Sequence, residues 1–384
     1  MRLNRLVLFI FIAATLTVSV FLIKSHKSRS LDESHIDAGP VQAATQSNTN
    51  DKISDENESK SSSSSVDDLI YSQPQENHND TTTISRNIVL SSDKVAENTL
   101  PNGRYRNLVF SEDQIGSTKD ITFKTRYDTK LIKNSDTDYD LIDDTNSLVD
   151  LKLNMYYPLN DPLGKRPLII FVYGGGWIEG DRYQREADAI YFARMGYVTM
   201  TMEYTMLPPG NEMNPVPSED SSVYVKLVYE SASDLYSAYR YAIAHKSTYD
   251  IDASRIGIGG WSAGGMLSQA LTHAASLPKP YGLKATLGLS NILPSALMNL
   301  YELNGGFKIF SSNYKPVSMF ASYDDDTGFA GTANDHAADC AYLQSIQHRC
   351  ITVTYPGSGH LLDFSLTPAV DNAVPFFAQY LAGY

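Results

Sequence analysis

Arg255-Ile256-Gly257-Ile258-Gly259-Gly260-Trp261-Ser262-Ala263-Gly264-Gly265 is where the reading of this chain turns. Arg255 to Trp261 reads as a strand and Ala263 to Ala275 as a helix, so the pentapeptide Gly260 to Gly264, a G-x-S-x-G, stands at a strand-to-helix joint. A serine at the tip of so sharp a turn sits in a strained backbone conformation, and the residues two before and two after it must be small to avoid collision. The helix N-terminus behind Ser262 adds backbone N–H groups and a positive dipole end toward developing negative charge. A glycine-rich turn with an incidental serine would carry the same five letters, so the surrounding text has to decide.

Outward from the turn, strand and helix patterns alternate, as expected of a mostly parallel sheet covered by helices on both faces, an α/β class. Ile121 to Tyr127 and Leu148 to Tyr157 alternate side chains like strands, and Pro167 to Tyr173 is a nearly continuous apolar run suited to a central strand. Further strands are expected at Tyr197 to Tyr204, Ala285 to Ser290, Val317 to Ser322 and Ile351 to Tyr355. Helices are expected near Tyr183 to Met195, Asp220 to His245, Ala333 to Gln347 and Pro368 to Leu381. Asn291 to Lys315 is the one long connection between later strands, the only room there for a lid and a small one, which suggests an open cleft.

A second feature, Tyr173-Gly174-Gly175-Gly176-Trp177, closes the buried strand. Backbone N–H groups approach an oxyanion closely only where side chains are absent, which consecutive glycines provide. The loop lacks the Lys-Ser/Thr of a phosphate-binding P-loop and the G-x-G-x-x-G of a dinucleotide site. A serine hydroxyl also needs a base. Of eight histidines, His26, His35 and His78 lie near the N-terminus, and His245, His273, His336 and His348 fall in helical text. His360, in Gly357-Ser358-Gly359-His360 after the last strand, lies on a loop able to reach Ser262. A carboxylate holding its imidazole belongs after the preceding strand, where Asp324, Asp325 and Asp326 stand in a row.

These motifs resemble the α/β-hydrolases, in particular the esterase and lipase branch whose oxyanion loop reads H-G-G-G-W and whose nucleophile reads G-x-S-A-G-G. Leu151-Lys152-Leu153-Asn154-Met155-Tyr156-Tyr157-Pro158 is similar to the strand before that loop in carboxylesterases related to feruloyl and acetylxylan esterases, and the resemblance runs from about Asp120 to Leu381. It implies Ser262 as nucleophile, His360 as general base and acid, and the N–H groups of Gly175, Gly176 and Ala263 as the oxyanion hole, with Gly174 an alternative to either loop glycine. The family's G-x-x-D aligns Ser322 with its glycine and so selects Asp325 as the acid, ahead of Asp324 and then Asp326. Tyr173 stands where the family has histidine, which implies a different anchoring of the glycine loop. The activity implied is hydrolysis of small-molecule or carbohydrate esters by an acyl-enzyme route, with short acyl groups, and with no cofactor or metal. A peptidase or amidase on the same residues is the rival enzyme reading. A surface binding module with a vestigial site is the rival outside enzymes.

Composition sets the frame. The 384 residues carry 31 Lys plus Arg against 44 Asp plus Glu, a formal charge of −13, which removes phosphate-backbone binding and with it a nucleic-acid partner. Arg2 and Arg5 precede the uncharged stretch Leu6 to Ile23, and Lys24, Lys27 and Arg29 close it, so residues 1–27 read as a membrane anchor or signal segment. Residues 28–100, rich in Ser, Asn and Asp, read as a disordered linker, and 101–384 as the catalytic domain, placed outside the cytoplasm. In that compartment Cys340 and Cys350, close in sequence, are expected to form a disulfide. The aspartates 136, 138, 140, 143 and 144 have calcium-loop spacing, but Leu141 occupies the turn position an EF-hand reserves for glycine, so a solvated loop is expected.

Overall fold

In the computed structural model the described residues are 103–135, 139–208, 222–274, 277–293, 316–326, 333–361 and 363–383. The N-terminal segment 1–27, the linker 28–100 and most of the expected lid, 294–315, lie outside them. Among the described residues no helix is long and apolar enough to cross a membrane.

Among the described residues eight strands form one sheet in the order β1-β2-β4-β3-β5-β6-β7-β8. They are β1 (Ile115–Lys133), β2 (Tyr139–Pro158), β3 (Arg166–Val172), β4 (Val198–Met202), β5 (Ile251–Trp261), β6 (Leu283–Leu289), β7 (Val317–Asp325) and β8 (Arg349–Ser358). β1 pairs antiparallel with β2, β2 antiparallel with β4, and every pair from β4 to β8 is parallel. The helices are α1 (Glu186–Arg194), α2 (Ser222–Ala244), α3 (Ala263–His273), α4 (Ala333–Ser345) and α5 (Val370–Phe377), the last running into a π-helical turn at Ala378–Ala382.

All seven residues of β3 are buried, because side chains alternate between faces and both faces are covered. Leu168, Ile170 and Val172 enter one core with Leu227, Leu235 and Leu267 of α2 and α3. Ile169 and Phe171 enter the other with Phe192 of α1 and Phe377 of α5. The apolar run thus has no polar face because neither side of its strand meets water. Cys340 of α4 and Cys350 of β8 form the expected disulfide, with Cα atoms 5.3 Å apart. Closing so short a loop contributes roughly 2–3 kcal/mol in the chain-entropy treatment.

The first hairpin is longer than its alternation indicated. β2 meets β4 only through Leu153–Tyr156, opposite Met202–Thr199, while β1 and β2 stay paired out to Lys133↔Tyr139. Because β2 is antiparallel to β4, its residues before Leu153 run past the carboxyl end of the parallel strands. The hairpin therefore projects as an arm at the end of the sheet where Ser262 follows β5. It is tied down there: Thr129 Oγ1 donates to the Met206 carbonyl at 2.8 Å, and Lys124 pairs with buried Asp234 at 2.6 Å. The overhang at the carboxyl end of the parallel strands thus includes this early arm, which strand patterning alone did not indicate.

Candidate active site

Ser262 occupies the N-cap of α3 with φ 52° and ψ −122°, a conformation L-residues rarely adopt. Surrounding hydrogen bonds hold it: its N–H donates to the Leu289 carbonyl at 2.9 Å, and its carbonyl accepts from Met266 N–H at 3.0 Å. The expected need for small flanking residues is met in detail. A Cβ at Gly260 would lie 2.3 Å from the Gly264 carbonyl oxygen, and one at Gly264 would lie 2.1 Å from that of Tyr173.

The glycine loop crosses directly over this turn, since a Cβ at Gly174 would come within 2.6 Å of the Trp261 ring and 2.8 Å of Ser262 Cβ. Among the described residues no backbone carbonyl takes the N–H of Gly175 or Gly176, and Ala263 is the first residue of α3, whose early N–H groups have no intrahelical acceptor. Tyr204, which pattern reading missed as an anchor, supports the loop: its hydroxyl donates to the carbonyls of Tyr173 (3.0 Å) and Gly174 (3.4 Å), and its ring stacks on Tyr173 with centroids 4.4 Å apart. Burial pushes both phenols well above the usual tyrosine range, so both remain neutral donors. The altered anchoring expected from Tyr173 thus takes the form of a tyrosine pair. Beyond the loop, buried Arg182 donates to Asn154 Oδ1 at 3.1 Å and pairs with Glu203 and Asp120, fixing the loop's exit to β2 and the end of β4.

His360 lies against Trp261, the residue before Ser262, with ring centroids 5.4 Å apart. Its Nδ1 is 2.9 Å from Asp326 Oδ1. This corrects the choice of Asp325. β7 continues through Asp325, which pairs with Ser358 of β8 and has an exposed side chain, whereas Asp326 is the first residue off the strand and is buried. The row of acids acts together on the histidine loop: Asp324 Oδ1 accepts from Gly357 N–H at 2.9 Å, the Asp325 carbonyl accepts from Gly359 N–H at 3.2 Å, and Asp326 takes the imidazole. The alignment failed because Ser322 is not a loop glycine. It is a buried strand residue whose hydroxyl bonds His336 Nδ1 at 3.0 Å, which moves the loop one residue further along.

A second set of contacts seats the histidine loop on α1. Asp188 accepts from Arg185 at 3.0 Å, from Ser365 N–H at 2.9 Å and from Ser365 Oγ at 2.7 Å, and Arg185 also reaches Asp363 at 3.3 Å. Burial raises the Asp188 carboxyl above its ordinary range against the opposing pull of Arg185 and Ser365. The Arg185 guanidinium lies 5.2 Å from the Trp261 ring centroid. No short motif encodes these partners, which come from separate elements.

Beside the glycine loop, a cavity of about 280 Å³ is lined by Arg126, Thr129 and Leu151 of the arm and by Tyr173, Tyr204 and Leu207 among others. Of the calcium-like aspartates, 136 and 138 lie outside the described residues, and Asp143 faces Arg126 at 3.4 Å and Lys226 at 3.6 Å. Among the described residues no group of three or more His, Cys, Asp or Glu is placed to hold a metal ion.

Residues 153–279 match the BD-FAE family model, a span that holds the glycine loop and the Ser262 turn but neither His360 nor the aspartates. A non-reducing polyketide synthase of Preussia isomera is 25% identical over 142 residues, covering 34% of this chain and 6% of that much longer protein. Among solved structures, Thermogutta terrifontis esterase 2 phosphoramylated by tabun is 20% identical, with 67% of this chain and 94% of that one covered and a TM-score of 0.45. Esterase B from Lactobacillus rhamnosis is 14% identical, with 73% and 89% covered and a TM-score of 0.47. The BD-FAE match thus spans the glycine loop and the strained serine turn, both set in this mostly parallel α/β sheet, and over that third of the chain the protein is similar to that family.

Proposed function

We propose that the chain hydrolyses carboxylic esters through an acyl-enzyme formed on Ser262, with His360 as base and Asp326 as its carboxylate partner. The observation that carries this is the His360–Asp326 bond beside the serine turn. A carboxylate only accepts, so Nδ1 carries the proton and Nε2 is left with the lone pair a general base needs. Ser262 Oγ gives its proton to Nε2 as it bonds the ester carbon, and the resulting oxyanion receives the N–H groups of Gly175, Gly176 and Ala263. Collapse breaks the bond to the alcohol, which leaves with the proton from Nε2. Water, deprotonated by the same nitrogen, then releases the acid and restores Ser262.

Short acyl groups on small or carbohydrate alcohols are the substrates we favour. What favours them is that a cavity of about 280 Å³ next to the glycine loop has room for a compact group and carries Arg126, Asp128 and Glu203 on its lining, groups that can bond hydroxyls. Across p-nitrophenyl esters, kcat/KM is expected to be highest for acetate to butyrate and to fall at least about tenfold by palmitate. Turnover of p-nitroanilides without turnover of the esters would replace the esterase reading with an amidase.

An extracytoplasmic location, held by residues 1–27, accords with the charged-flanked apolar segment and with a Cys340–Cys350 disulfide, which persists in oxidising compartments. The full chain should stay with membranes through an alkaline carbonate wash. Release into the supernatant would remove the anchor from this account.

A further inference from the structure

We infer that Ser290 is a positioning residue that holds Asp326 and the His360 loop in register through a single hydroxyl; the inference rests on the Ser262–His360–Asp326 reading above. Ser290 follows β6 and is fully buried, with φ +47° in the left-handed region. Its N–H donates to the Ala321 carbonyl of β7 at 2.8 Å, which fixes where its side chain starts. The hydroxyl donates to Asp326 Oδ2 and accepts from Leu361 N–H at 2.8 Å. The other oxygen of the same carboxylate is the one 2.9 Å from His360 Nδ1. One oxygen atom therefore joins the acid, which leaves β7, to the backbone immediately after the base, which leaves β8.

The directions of these bonds are forced. A carboxylate cannot donate and a peptide N–H cannot accept, so the single O–H must point at Asp326 while a lone pair faces Leu361. No apolar side chain of the same size could serve both, and a buried carboxylate that loses a donor is left under-satisfied. The backbone conformation sharpens the point. On steric grounds φ +47° favours glycine, so what serine adds at this position is its hydroxyl.

Glycine accordingly gives a clean test, because Ser290→Gly removes the hydroxyl while suiting the backbone. Compared with wild type, Ser290→Gly and Ser290→Ala are expected to lose about 10- to 100-fold in kcat, the range for a hydrogen bond to a charged group, with KM changed less than about threefold. Loss of this donor loosens the hold of Asp326 on the imidazole, so the loss falls on kcat and not on substrate binding. In an Asp326→Asn background, Ser290→Gly should cost less than about a further twofold, since its route to the base is already broken. Wild-type kcat in a folded Ser290→Gly overturns the inference. So does an equal loss in both backgrounds, which would mark a packing role. Fluorophosphonate labelling of wild type that disappears in Ser262→Ala separates the two claims: if wild type does not label, the esterase reading fails and takes this inference with it, whereas normal labelling with normal Ser290 variants sinks the inference alone.

Discussion

Asp326→Asn is expected to lower kcat by about 10⁴-fold, while Asp324→Asn and Asp325→Asn stay within a fewfold of wild type. Asp326 is the carboxylate on His360 Nδ1. An asparagine there can turn its NH₂ toward the ring, which then presents a lone pair at Nδ1 and carries its proton on Nε2, the tautomer that cannot accept from a serine. The neighbours differ because of what they contribute. Asp324 receives Gly357 N–H on a side-chain oxygen, a bond an asparagine carbonyl can keep, and Asp325 contributes its backbone carbonyl to Gly359, which no side-chain change removes. Steady-state kinetics on the three single variants, each checked for an unchanged Tm, decides the matter. A large loss in Asp325→Asn with little in Asp326→Asn would return the role to Asp325 and show that the loop rearranges on binding.

Ser262→Ala is expected to lose about 10⁵- to 10⁶-fold in kcat and all labelling by a fluorophosphonate, leaving only what substrate binding and the oxyanion hole provide. Folding should be unaffected. Alanine has the same backbone restriction as serine, so the φ 52° conformation is no more strained than before, and the bonds from Ser262 N–H to Leu289 and from Met266 to the Ser262 carbonyl do not involve the side chain. Both active-site substitutions therefore separate chemistry from stability. A Ser262→Ala protein retaining a few per cent of wild-type turnover, free of wild-type contamination, would require a different nucleophile and end the acyl-enzyme account.

Much of the fold could be read in one dimension because its signals are local. Pro167 to Tyr173 had no polar position, and β3 is buried on both faces; the glycines at 260 and 264 announced a close approach, and each faces a carbonyl oxygen at a distance no Cβ could tolerate. Ser262, the glycine loop and His360 were equally visible as candidates, since each lies in a short glycine-rich run. Choosing among three adjacent aspartates was not local. It depended on how far β7 stays paired with β8, and hence on whether position 322 turns or continues as strand. The arm beside the site escaped the reading in the same way, because it comes from β1 and β2, early in the sequence, and its reach depends on how far those strands stay paired.

The sequence by itself determined the α/β class and the sharp serine turn, and marked out the glycine loop and His360 as candidates, because steric need and periodicity act between residues a few positions apart. Only the tertiary structure decided that Asp326 faces the imidazole, that Tyr204 supports the glycine loop and that the Ser290 hydroxyl bonds both Asp326 and Leu361. Each of those is a hydrogen bond between side chains or backbone from different strand ends, and nothing in the spacing of letters fixes the direction in which a strand's last residue points.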